Sequence, residues 1–201
     1  MLIRNLIAAF LAGTLMVAPD TVITEYDAKE SEIFLWECLS TYTDDEKLVA
    51  AIVGYYYRES RYRSDAVTGW DYSLAFTGID PCREFAERLD TLSRDDFVVT
   101  VRKRGGFGLG QWYSVNHLEQ MYDYFKGAGA SFADARTQCA FTVHSITNNA
   151  EVMEQLEQTD TVLGYGGVIA RQYDGSEAAV EGISGKAYIV YTKYAKNPSE
   201  A

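Results

Sequence analysis

The chain is poor in the residues that anchor metal and disulfide frameworks. Its 201 residues hold three cysteines, Cys38, Cys82 and Cys139, widely spaced and without a CxxC pair. An odd count at such spacing implies neither a disulfide scaffold nor a zinc knuckle, although one bridge with a leftover thiol stays open, its pair unnamed. His117 and His144 are the only histidines, and no HExxH is present. No metal site is expected. Three prolines and no Pro- or Ser-rich tract leave no sign of a linker, and no internal repeat is found. Positive charge is also short: 18 Lys and Arg against 29 Asp and Glu give a formal charge of −11. That balance argues against general binding to nucleic acid, whose phosphates are held mainly by Lys and Arg.

What is present is an ordinary globular composition, 47% hydrophobic and 23% charged, with an excess of tyrosine at 15 residues. Such amphipathic rings serve cores and also line carbohydrate and peptide clefts. The charge is uneven. Residues 58–104 hold nine bases and nine acids, so the rest of the chain carries the whole −11. A neutral stretch in an acidic chain suits docking of a substrate that bears carboxylates.

Residues 6–18 (LIAAFLAGTLMVA) are uncharged, follow Arg4 and precede Pro19. The run is shorter than the ~20 residues of a membrane span and matches the ~7–15 of a signal-peptide core. Met16 is a poor residue for cleavage after Ala18. A packed helix is the other reading, with Leu2, Ile3, Leu6, Ile7, Phe10 and Leu11 on one face. The preferred division is a hydrophobic segment over residues 1–27, with a secretory, membrane or virion-associating role for 1–18, and one domain over 28–201.

That domain reads as mainly helical. Helices are predicted over 28–39, from a Thr43/Glu46 capping box through residue 59, and from Pro81. Others follow Ser114 and Ser131, and span about 160–173 and 176–194. Residues 96–101 (DFVVTV) read as the one strand. The expected fold class is mainly α with a small β element.

Two local patterns carry chemistry. In the helix before residue 60 the apolar stripe Leu48, Ala51, Ile52, Tyr55 continues, four residues on, to Glu59. A carboxyl on a core-facing stripe is favoured in its protonated form, as a general acid requires. The plainer reading pairs Glu59 with Arg58, Arg61 or Arg63. The second pattern is the glycine-rich run 105–112, GGFGLGQW. Its glycines permit close backbone approach to a ligand, with Gln111 and Trp112 offering an amide and a flat ring. A dinucleotide fingerprint fails because Gln111 occupies the third glycine position, and no GK[ST] follows.

YRES ending at Ser60, SDA ending at Ala66 and GLGQW ending at Trp112 together resemble the phage tail lysozyme type of the lysozyme superfamily. The pattern is related to that of soluble lytic transglycosylases. The resemblance spans about residues 44–194 and includes looser matches at Gln138, Tyr173 and 187–191. It implies a lysozyme-like fold with the β element near a cleft, and cleavage of the β-1,4 bond of the peptidoglycan glycan strand, outside the cytoplasm or on a virion. Glu59 would be the general acid. Ser60 would help position the acid or an N-acetyl group, and Gly110, Gln111 and Trp112 would line the glycan cleft. Glu59 and Gln111 are therefore expected to face one cleft. Asp65 and Asp71 are the candidates for a second carboxylate, whose distance separates inverting from retaining hydrolysis. If neither reaches, the substrate's own oxygen completes a lytic transglycosylase reaction. No cofactor is implied. Arg102–Arg104 reads either as a contact for substrate carboxylates or as a solvated loop. A non-catalytic wall-binding or virion structural protein on the same fold is the alternative.

Overall fold

A computed structural model describes residues 20–23, 28–69, 81–173 and 175–200. The hydrophobic segment 1–18, Asp71 and Tyr72 lie outside the described residues. Nine α-helices are described: α1 (Ala28–Leu39), α2 (Glu46–Ser60), α3 (Pro81–Leu89), α4 (Arg94–Arg104), α5 (Val115–Ala128), α6 (Ala135–Thr147), α7 (Ala150–Glu157), α8 (Val162–Tyr173) and α9 (Glu177–Tyr194). A short 3-10 turn, Pro198–Glu200, follows. Among the described residues none of the helices is long and apolar enough to cross a membrane.

The helix α2 forms the axis of the domain. Leu48 through Tyr56 are all buried, because α1, α8 and α9 pack around it. A helix wrapped on several sides has no polar face, and this one shows none between Leu48 and Tyr56. Gly54 admits the backbone of α9: a Cβ there would lie 2.8 Å from the Ile183 carbonyl oxygen. Asp45 caps the helix, its carboxylate accepting from the N–H groups of Lys47 and Leu48. The cap thus falls two residues past Thr43, whose hydroxyl accepts from the Asp45 N–H instead (3.2 Å).

A second group of aromatic rings joins α4, α5 and α6. Phe132 stacks on Phe97 with centroids 4.3 Å apart and on Phe125 at 5.4 Å, and Phe141 meets Trp112 edge-on at 5.6 Å. Burial of such rings contributes about 1.5–3 kcal/mol each, which makes them the main cohesive force between these helices. Residues 20–23 join this body. The Thr21 N–H donates to the Asp134 carboxylate (2.7 Å), and Ile23 and Ser64 exchange two hydrogen bonds.

The segment 96–101, expected as a strand, is helix. Ser93 caps α4 by accepting from the Asp96 N–H, Asp95 and Asp96 sit in the first turn, and three bases sit in the last. Gly105 ends it in the left-handed conformation at φ 89°. These end signals outweigh the β preference of three valines, and Phe97, Val98 and Val101 fall on one helical face and are buried. The small β element reduces, among the described residues, to isolated bridges of Phe107 with Val67 and Trp112. The helix α7 was not foreseen; its eight residues are capped by Asn149.

Candidate active site

Glu59 occupies the last turn of α2. One turn earlier on the same face, Tyr55 donates its hydroxyl proton to the carbonyl of Gly110. Residues four apart on a helix share a face, so Glu59 lies on the face of α2 from which Tyr55 reaches the glycine run. The Glu59 side chain is 22% exposed, and the Arg58 guanidinium approaches it only loosely, at 3.9 Å. The other arginines considered as its partners are engaged elsewhere. Arg61 lies over the Tyr57 ring at 4.4 Å, and Arg63 grips Asp65.

Beyond Ser60 the chain reverses sharply. Arg61 and Tyr62 take φ values of 54° and 72°, uncommon for residues with a side chain and held here by capping. The Arg61 N–H, the Tyr62 N–H and the Ser60 hydroxyl all converge on the Tyr56 carbonyl. Ser60 is buried, and its hydroxyl is spent on that contact, 3.1 Å long.

The reversal leads into a turn that is stitched to the glycine run. The Gly108 N–H donates to the Ala66 carbonyl (2.9 Å) and the Thr68 N–H to that of Gly106 (3.4 Å). Gln111, at φ 46°, completes the seam. Its amide nitrogen donates to the carbonyls of Ala66 (3.1 Å) and Gly108 (2.8 Å), and its amide oxygen accepts from the Thr68 hydroxyl (2.6 Å). The SDA and GLGQW patterns are therefore parts of one folded unit. Asp65 sits inside it, fully buried, with each carboxylate oxygen 2.9 Å from the Arg63 guanidinium.

The glycines serve contacts within the protein. At Gly108 (φ 80°) a Cβ would lie 2.8 Å from the Gln138 amide oxygen, and at Gly110 one would lie 2.6 Å from the Trp112 indole. Gln138 is buried and fully used: its oxygen accepts from the Leu109 N–H (2.7 Å), and its nitrogen donates to the carbonyls of Ser64 (2.7 Å) and Phe132 (2.6 Å). Trp112 is 3% exposed, so its ring supports the site from below. Tyr55 stacks on Tyr173 at 4.7 Å, and His117 lies against Tyr173 at 5.5 Å. Burial pushes the Tyr173 phenol up to about 12 and draws His117 down, so both are neutral near pH 7.

Glu59 stands in the last turn of the helix that Tyr55 ties to the glycine run, and the SDA and GLGQW patterns meet in one hydrogen-bonded seam. The phage tail lysozyme family matches residues 35–194, four-fifths of the chain. The chain belongs to the phage tail lysozyme family. No curated protein and no solved structure matches it. Membership brings a lysozyme-like, peptidoglycan-degrading role on a mostly helical domain, suggesting a virion-associated or extracytoplasmic setting.

Two residues outside the sequence candidates hold the glycine run in place. Tyr55 lies in the core, as its position on the apolar stripe implies, and its hydroxyl carries the link to Gly110. No sequence pattern marks Thr68, whose hydroxyl donates to the Gln111 amide oxygen. Arg102–Arg104 forms the exposed last turn of α4 rather than a loop, where bases offset the helix dipole.

Proposed function

We propose that this phage tail lysozyme cleaves the β-1,4 glycosidic bond of the peptidoglycan glycan strand, with Glu59 as general acid. The observation that supports the reading is that Glu59 follows Tyr55 by one turn on the helix that Tyr55 ties to Gly110. Glu59 gives its proton to the leaving glycosidic oxygen as an oxocarbenium-like transition state develops. In this reading the backbone of Gly110 and Gln111 lines the glycan cleft, tied to α2 by Tyr55 and to Ala66 by the Gln111 amide. Ser60 acts by holding the helix end, through Tyr56, rather than by touching the sugar.

Asp65 has both oxygens on Arg63 and is closed off from water, which favours a structural role for it. This supports the transglycosylating arm, in which an oxygen of the substrate attacks the anomeric carbon. Hydrolysis requires a second carboxylate, for which Asp71 is the candidate. Mass spectrometry of digested cell wall separates them: transglycosylation leaves anhydro ends one water lighter than hydrolytic ends. Release of peptides with intact glycan strands overturns both. Residues 1–18 are proposed to carry the association with a membrane or virion.

A further inference from the structure

Cys38 on α1 and Cys139 on α6 are both buried, 4% and 0% exposed, and the two thiols lie near enough for each to bias the other's ionisation. The packing of the two helices brings them together. Phe34, one turn before Cys38, lies under the Arg136 guanidinium at 5.1 Å, and Arg136 precedes Cys139 by three residues on the same face. The faces that meet between α1 and α6 are therefore those that carry the two cysteines. Both are thiols in this structure. Cys82 is buried on α3, outside this helix pair.

We infer that Cys38 and Cys139 form a specific disulfide cross-link, tying the first described helix to the middle of the domain, with Cys82 left as a thiol. The co-reactant is a small disulfide oxidant of the glutathione class. One cysteine thiolate attacks the oxidant's S–S bond, giving a mixed disulfide and one released thiol. The second protein thiolate then displaces the other half. Two protein thiols are oxidised to the bridge, one small disulfide is reduced to two thiols, and the two protons given up by the cysteines end on those released thiols. The bridge closes a loop of about 100 residues, the range in which a cross-link most restricts the unfolded chain. It suits a protein working outside the reducing cytosol. Burial pushes the Cys139 thiol up, which slows attack in the folded state, so the bond forms mainly while the chain folds.

The test is to refold the full chain in a glutathione redox buffer, block remaining thiols with iodoacetamide, and map tryptic peptides without reduction. The expected result joins the Cys38 peptide to the Cys139 peptide, alkylates Cys82, and raises the melting temperature by about 5–10 °C over the reduced protein. The C82S variant is expected to form the same link and C38S to form none. Where refolding yield is low, diamide treatment of the native protein is mapped in the same way. Three alkylated cysteines, or a link that uses Cys82, overturns the inference. None of these readouts depends on lytic activity, so failure here leaves the proposed reaction standing, and the reverse holds.

Discussion

The Tyr55 hydroxyl donates to the Gly110 carbonyl across 55 residues of sequence, and it does so on the helix face that ends in Glu59. This hydrogen bond ties the helix that carries the proposed acid to the glycine run. Tyr55→Phe keeps the ring on Tyr173 and removes only this donor. The buried carbonyl left behind costs about 1–3 kcal/mol. Activity is expected to fall by about tenfold or more, chiefly in kcat, because small misplacements of a reacting group are expensive. Steady-state kinetics alongside thermal melting checks this; unchanged kcat in a folded variant removes Tyr55 from the site.

Glu59→Gln is expected to abolish lysis with the fold intact. The substitution keeps shape and removes proton transfer, a loss of ~10²–10⁴-fold in rate. Stability is expected to move by only about 1 kcal/mol, since the amide keeps the shape of the carboxyl at a partly exposed helix end. Turbidity and melting assays on one preparation decide it. Full lysis by the Gln variant sinks the mechanism, while lost stability with retained activity identifies Glu59 as a structural ion-pair residue.

Glu32 governs stability in acid. Burial by itself raises its carboxyl, but hydrogen bonds from Lys186, Lys193 and Tyr62 outweigh that and hold it at about 2, below an ordinary 4.5. The unfolded chain therefore binds this proton first. The stabilisation, about 3 kcal/mol, is complete above pH 4.5 and lost as pH falls from there through 2. Denaturant melts at pH 6, 4, 3 and 2 should trace the loss. In Glu32→Gln the same window should flatten, on a baseline lowered by about 3–5 kcal/mol because Lys186 and Lys193 lose their partner.

Gln138 joins three backbone segments with one amide. Gln138→Leu strands three buried backbone groups and is expected to cost at least about 3 kcal/mol. Gly108→Ala puts a methyl 2.8 Å from that amide's oxygen at a positive φ and is expected to cost about 2 kcal/mol or more. Because both changes disturb one contact, the double variant should lose less than the sum of the singles. Strict additivity in denaturant unfolding would show that the two do not act through a common contact.

Helices with long periodic faces and clear end residues were determined by the sequence alone. The bounds 28–39 agree with α1, Pro81 opens α3, and Ser114 and Ser176 cap α5 and α9. Local energetics suffices there, since caps and spacing act within one or two turns. The place of Glu59 in the last turn of α2, four residues after Tyr55, follows from the same spacing. Tertiary structure decided the rest. Residues 96–101 carry β-branched side chains whose local preference yields to the caps at Ser93 and Gly105 and to burial of Phe97 and Val101. The glycines at 108 and 110 suggest close approach, but only the fold shows that Gln138 and Trp112 fill the space. Gln111 and Asp65 look like free site groups in sequence, and it is their position in the seam beside Thr68 and Arg63 that consumes their hydrogen bonds. Spacing along a chain fixes which residues share a helix face; which distant atoms saturate a polar group is fixed only when the segments meet.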